Sequence, residues 1–268
     1  MIQDGIGADR DGAVTIITID RPTANAIDPA ASRALGRAFD AFAADPQARV
    51  AILTGAGGRF FSAGDDLKAT AQAGLAGIDY GSGGFGGITE RFDLDKPVIA
   101  ALNGMAVGGG FEMALACDLI VAAPHVEMFL PEVNIGMMAS SGGFCRLPRQ
   151  IPLKIAMEML LTGRRMQAEE AVRWGVVNQV VPAARLMPAA LELARRVAAA
   201  APLAVRATKA CALASLDMEI PATFTALEQH RFPVYDAMLA SDDVREGPRA
   251  FVEKRPPRWS HDPCQGEV

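Results

Sequence analysis

Apolar positions along this chain alternate between two spacings, and the spacing predicts each element. Val14 to Ile19 is a β-branched run that stops at Asp20-Arg21-Pro22, the pattern of a strand followed by a turn. From Ala30 to Ala43 the residues Ala34, Leu35, Ala38, Phe39 and Phe42 recur at helical spacing. Val50 to Thr54 is a short continuous apolar run before Gly55-Ala56-Gly57-Gly58, which predicts a buried strand. Pro97 to Leu102 and Leu119 to Ala122 read as further strands, with a helix over Gly108 to Cys117 between them. Asp65-Asp66 is placed to cap a helix that begins near Leu67. Residues 74 to 87 are rich in Gly and Ser without a periodic apolar pattern, which predicts a mobile loop over a site. Helical spacing dominates from Gly143 onward, interrupted at Val176 to Val181, and Pro202 and Pro221 each suit the first turn of a late helix. Strands alternating with helices, then a helical tail, predict an α/β core with an appended helical region. No internal repeat and no long linker is visible.

Composition narrows the class. Half of the 268 residues are hydrophobic, enough to bury a sizeable core. The 26 basic and 31 acidic residues leave a formal charge of −5, which disfavours general nucleic-acid binding but leaves room for a local basic patch on a phosphorylated ligand. Cys117, Cys145, Cys211 and Cys264 are scattered, with no C-x-x-C pair and no histidine at metal spacing. That pattern predicts free thiols in a reducing cytosol and no metal site. The start, Met1-Ile2-Gln3-Asp4, lacks a basic region followed by an apolar run, and no apolar run reaches the roughly 18 residues of a membrane helix. The expectation is a cytoplasmic protein that does not span a membrane.

The candidate chemistry lies in two glycine-flanked segments and two glutamates. Phe61-Ser62-Ala63-Gly64-Asp65-Asp66-Leu67 follows one strand, and Asn103-Gly104-Met105-Ala106-Val107-Gly108-Gly109-Gly110-Phe111-Glu112 follows another. Glycines at a helix start let a ligand approach electropositive backbone amides, although they also serve tight strand–helix packing. Glu112 and Glu132 both lie in otherwise apolar runs, unlike glutamates on a solvated face. Backbone N–H donors with buried carboxylates suit the making and quenching of an enolate next to a thioester carbonyl. Loss of one such donor typically costs about 10²–10³ in rate. Burial can tune a carboxylate to move protons near neutral pH.

Other chemistries fit worse. No G-x-S-x-G turn surrounds Ser62, Ser140 or Ser141, and His125, His230 and His261 have no suggestive neighbours, so a serine hydrolase is disfavoured. Gly55-Ala56-Gly57-Gly58 lacks the following Gly-Lys-Ser/Thr of a nucleotide-phosphate loop, and no dinucleotide fingerprint occurs. Met137-Met138 and the Met157/Met159 region read as core, and the Ala-rich run from Ala189 to Ala201 as a packed helix.

These residues closely resemble the enoyl-CoA hydratase/isomerase family, also called the crotonase family. The likeness covers nearly the whole chain. It runs from Asp20-Arg21-Pro22 through Phe61 to Lys68, Lys96 to Ala100, the triple glycine, Cys117-Asp118, Pro131-Glu132, Leu161-Thr162-Gly163 and Trp174 to Asn178, and ends at Phe251 to Arg255. The resemblance implies a spiral of four ββα turns over residues 1–200 that holds the active site. It also implies a C-terminal helical trimerisation region over residues 201–268, with a homotrimer or a hexamer of two trimers. It places Glu112 and Glu132 as catalytic carboxyls, and the N–H groups of Ala63 and Gly109 as the oxyanion hole. Ala24, Ala26, Asp65, Asp66, Leu67, Lys68 and Gly108 would line the path of an acyl-CoA substrate, and Phe251 and Lys254 would reach a neighbouring subunit's CoA. No cofactor is implied beyond the CoA of the substrate itself.

Retention of both glutamates points to a hydro-lyase that adds water to, or removes it from, the 2,3 double bond of an enoyl-CoA. Within the family the chain looks most like the subgroup that dehydrates carnitinyl-CoA, through Asp79-Tyr80-Gly81, Gly83-Gly84-Phe85, Gly163-Arg164-Arg165-Met166 and Glu253 to Trp259. Where that subgroup tends to carry Pro-Asp-Ser, this chain has Ala139-Ser140-Ser141, and a trimethylammonium substrate would want a carboxylate or an aromatic face. An isomerase that shifts the double bond is a further alternative. So is a catalytically silent CoA- or RNA-binding member, against which the acidic composition weighs.

Overall fold

The computed structural model of the chain describes residues 2–73 and 78–260. The chain opens with an antiparallel meander of β1 (Ile2–Gln3), β2 (Ile6–Asp11) and β3 (Val14–Ile19), followed by helix α1 (Pro29–Ala44). Strands then arrive in pairs. β4 (Val50–Gly55) and β5 (Phe60–Ser62) lead into α2 (Leu67–Ala73), and β6 (Val98–Leu102) and β7 (Met105–Val107) lead into α3 (Gly109–Ala116). β8 (Leu119–Ala122) and β9 (Glu127–Phe129) lead through a 3-10 turn at Glu132–Ile135 into α4 (Gly143–Gln150) and α5 (Leu153–Thr162). β10 (Met166–Gln167), α6 (Ala168–Trp174), β11 (Gln179–Val180) and α7 (Leu186–Ala198) complete the core.

The first strand of each pair joins a sheet ordered β1-β2-β3-β4-β6-β8-β11, and the second joins a sheet ordered β10-β9-β7-β5. Successive first strands pair in parallel, as do β5, β7 and β9. The fold is therefore an α/β spiral in which each ββα turn gives one strand to each sheet. A repeat exists after all, in backbone pairing and not in sequence, because its units differ in length and in side chains. Strands of two or three residues (β5, β7, β9, β10) were not predicted, since a run that short carries no readable alternation.

β4 and β6 are buried along their whole length because apolar layers cover both faces of the larger sheet. One face packs on Ala31, Ala34, Leu35, Phe39 and Phe42 of α1. On the other, Val14, Val50, Ile52, Ile99, Ala101 and Val121 meet Leu186, Ala189, Ala190 and Ala194 of α7. α1 starts at Asp28, whose carboxylate accepts the Ala31 N–H at 2.8 Å, with Pro29 in the first turn where no N–H is needed. Full burial of a side chain such as Phe39 contributes roughly 1.5–3 kcal/mol.

The mobile loop expected over 74–87 needs correction in its second half. Residues 74–77 lie outside the described residues, but Phe85, Gly86 and Gly87 are buried in a 3-10 turn against α1 and α3. Gly84, Gly86 and Gly87 have positive φ, so the glycines wind the chain tightly instead of loosening it. The helical tail comprises α8 (Pro202–Ser215), α9 (Ile220–Glu228), α10 (Pro233–Ala240) and α11 (Asp243–Val252). Its ties to the core are largely polar: Arg206 makes two bonds to Asp95, Lys209 reaches Asp118 at 2.7 Å, and the Trp259 indole donates to Ala199 O at 2.9 Å. Among the described residues no single helix is long and apolar enough to cross a membrane.

Candidate active site

The triple glycine forms the junction between β7 and α3. Gly108 has φ 53° and donates its N–H to Phe129 O at 2.9 Å. A Cβ there would lie 2.7 Å from Glu132 Oε1, and the positive φ is one that side chains rarely adopt, so glycine lets the carboxylate approach without strain. The next amide, Gly109, opens α3 and has no acceptor among the described residues, as the first amides of a helix must.

The opposing turn corrects one expectation. The Ala63 N–H donates to Ala24 O at 2.9 Å and is therefore not available to a ligand. Gly64 N–H goes to Ser62 Oγ at 3.1 Å. Ile27 N–H donates to Gly64 O at 2.8 Å, and Asp66 N–H donates back to Ile27 O at 3.0 Å. Because the carbonyl before Asp65 and the amide after it both face Ile27, the amide of Asp65 itself faces the other way. It has no acceptor among the described residues. Gly64, at φ 81°, brings this turn against α3, for a Cβ on it would lie 2.9 Å from Gly109 N. Asp65 and Gly109 thus offer open amides from facing elements, and both residues line the cavity between them. Sequence alone could not separate residue 63 from 65, because the choice depends on which side of the turn pairs with Ile27.

The two glutamates come from different supports. Glu112 projects from α3 and is 3% exposed. Its Oε1 accepts the Gly143 N–H at 2.8 Å. Burial pushes its carboxyl up to about 7; backbone bonds from Gly143 and Ser141 oppose that, while the charge of Glu132 adds to it. Glu132 begins the 3-10 turn and is half-buried. Burial raises its pKa too, against the pull of its own backbone N–H. Its Oε2 is buried without a hydrogen-bond partner among the described residues, an arrangement that costs free energy unless a ligand uses it.

A cavity of about 290 Å³ joins these groups, lined by Asp65, Gly108, Gly109, Glu112 and Glu132 together with Ala63 and Leu67. Tyr80, Phe85, Met137, Ser140 and Ser141 also line it and were not singled out as site residues. Met138 lines it as well and is exposed, so this methionine pair forms cavity wall and not core. Of the residues expected along a CoA path, Ala24, Ala26, Asp66 and Lys68 lie off the cavity lining, Lys68 in the first turn of α2. Ala26 O accepts from the Arg21 guanidinium, and Lys68 is exposed. Phe251, 85% exposed, and Lys254 sit at the far end of the helical tail and do not enter the cavity of their own chain.

A family model described as enoyl-CoA hydratase/isomerase matches residues 9–262. The chain belongs to the enoyl-CoA hydratase/isomerase family. It is 52% identical over 250 residues, 93% of its length, to proteins named carnitinyl-CoA dehydratase from Salmonella arizonae and Salmonella typhimurium, each covered over 96%. Among solved structures it resembles an enoyl-CoA hydratase from Mycobacterium tuberculosis, with TM-score 0.88 and 42% identity over 97% of this chain and 100% of that one. It also resembles a carnitinyl-CoA hydratase from Mycobacterium avium, with TM-score 0.76 and 41% identity over 96% and 99%. Membership in the family accords with the α/β spiral.

Proposed function

We propose that this family member is a CoA-thioester hydro-lyase that adds water across, or removes it from, the 2,3 double bond of an enoyl-CoA. The observation that supports this most is the meeting of open amides, from Asp65 and Gly109, with the buried carboxyl of Glu112 and the half-buried one of Glu132 around one cavity. The thioester oxygen binds between the amides, which stabilise it as it gains enolate charge. Glu132 protonates the α-carbon during hydration, and Glu112 takes a proton from the water that attacks the β-carbon. In dehydration the same single proton sits on Glu112 at the start and on Glu132 at the end. The pair works only when it holds one proton, and its coupling makes the apparent pKa values a property of both groups.

The neutral enoyl-CoA reading leads. Dehydration of carnitinyl-CoA is the narrower one, favoured by the 52% identical relatives and by the Tyr80 and Phe85 rings in the cavity wall. Against it stand Ser140 and Ser141, which supply no carboxylate there. Crotonyl-CoA and crotonobetainyl-CoA, followed by loss of conjugated absorbance, separate the two readings. Water incorporation without bond migration separates both from an isomerase. No turnover with any enoyl-CoA would sink the reading altogether.

The reading carries an assembly with it. Ile220, Phe224, Phe251 and Val252 expose large apolar surfaces on the helical tail, and burial against further copies of the chain, as a trimer or a hexamer, would cover them. Phe251 and Lys254 would then approach a neighbour's CoA. The division into a core of residues 1–200 and a tail of residues 201–268 follows the same logic. Free Cys117, Cys145 and Cys211 suit a cytoplasmic setting.

A further inference from the structure

Segment 78–87 enters the site through two rings: one lies against Gly109, and the other carries a hydroxyl that holds the Asp65 side chain. The Phe85 ring lies against Gly109, where a Cβ would meet Phe85 Cε1 at 2.5 Å. The Tyr80 ring stands edge-on to Phe85, with centroids 5.2 Å apart and planes at 68°. The Tyr80 hydroxyl donates to Asp65 Oδ1 at 2.8 Å, and the Thr70 hydroxyl on α2 donates to Asp65 Oδ2. Both oxygens of this carboxylate are thus held, from two different elements. The segment is itself rooted on α1, where Ser32 Oγ bonds Tyr80 O at 2.8 Å and accepts the Gly86 N–H at 3.0 Å.

An aspartate beside a free amide is a hazard to an oxyanion hole. Its short carboxylate can fold back on a local N–H and compete with the substrate oxygen for it. We propose that Tyr80 is a positioning residue for the oxyanion hole: with Thr70 it holds the Asp65 carboxylate away from the Asp65 amide, and through Phe85 it braces Gly109, so that both donors point into the cavity. This rests on the hydro-lyase reading above. Burial and the neighbouring carboxylate both raise the Tyr80 pKa, so the phenol keeps the proton it donates.

The test is Tyr80→Phe, which removes one hydroxyl and keeps the ring. Hydrogen bonds weaken steeply with misalignment, and this one matters most when charge develops on the thioester oxygen. The expected result is a fall of about tenfold in kcat, a fraction of what losing a whole donor costs, with KM within about twofold. Bound cinnamoyl-CoA should report the same change, because open amides polarise its carbonyl and red-shift its absorbance, and the shift should shrink in the variant. Thr70→Val, which keeps the Tyr80 ring and lies off the cavity lining, should act in the same direction. In an Asp65→Ala background, Tyr80→Phe should have no further effect, because the group it restrains is gone. The proposal is overturned if Tyr80→Phe leaves both kcat and the cinnamoyl-CoA shift unchanged, or if its loss persists undiminished in Asp65→Ala. A wild-type protein that neither hydrates an enoyl-CoA nor shifts the bound chromophore overturns the hydro-lyase reading first, and this proposal with it.

Discussion

The helix that carries Glu112 and the short turn that carries Glu132 present the same side chain under opposite conditions. α3 is buried on nearly every side, and Glu112 has a fixed hydrogen bond from Gly143. The 3-10 turn runs over the surface, with Val133 and Ile135 exposed, and Glu132 ends in a buried oxygen that has no partner among the described residues. A carboxyl clamped by a backbone N–H keeps one place through the reaction. One with an unsatisfied oxygen is suited to hand a proton to something that arrives. The contrast teaches that two chemically identical residues take distinct tasks through their supports, one rigid and one open.

The largest effect should follow from the open partner. Glu132→Gln keeps size and polarity but cannot exchange a proton at the α-carbon. A fall in kcat of about 10³ is expected, with thioester affinity little changed, since general acid–base groups typically contribute about 10²–10⁴. Single-turnover hydration beside equilibrium binding of a saturated acyl-CoA checks both halves. Near-normal turnover would erase the difference between the two supports.

Gly108→Ala strikes the place where they meet. The new Cβ would crowd Glu132 Oε1 in a backbone region at φ 53° that side chains avoid. A loss of about 10² in kcat is expected, together with roughly 1–3 kcal/mol of stability. Kinetics and a thermal melt on the same sample test it.

The pH dependence sharpens the contrast from the rigid side. Because Glu112 is pushed up to about 7, kcat/KM should fall as pH rises through about 7, when the pair loses its last proton. Stability carries the same sign. The folded state binds this proton more tightly than the unfolded chain does, so the contribution of Glu112 to stability is fullest below about 4.5 and is lost as pH rises through about 7. Glu112→Gln still accepts the Gly143 N–H and carries no charge. Its stability should match wild type near pH 4.5 and exceed it at pH 8 by at most about 3 kcal/mol, seen as a higher melting temperature at the higher pH. Parallel melts at the two values would expose an error if the gap closed or changed sign.

The sequence by itself determined much of this. The β-branched run at Val14–Ile19, the apolar run at Val50–Thr54 and the helical spacing of Leu35, Phe39 and Phe42 reflect burial against flat or curved neighbours, which local side-chain pattern encodes directly. Glu112 and Glu132 were legible because a carboxyl within an apolar run is costly unless it is used. Tertiary structure alone decided the rest. Whether residue 63 or 65 offers its amide depends on pairing with Ile27, which lies between β3 and α1, distant in the chain and silent in composition. Tyr80 reaches Asp65 from fifteen positions away, and the glycines of 83–87 allow that approach by winding the chain tight. Hydrophobic pattern is a property of neighbours in the chain. The direction of a hydrogen-bond donor is a property of neighbours in space, and only the folded backbone sets it.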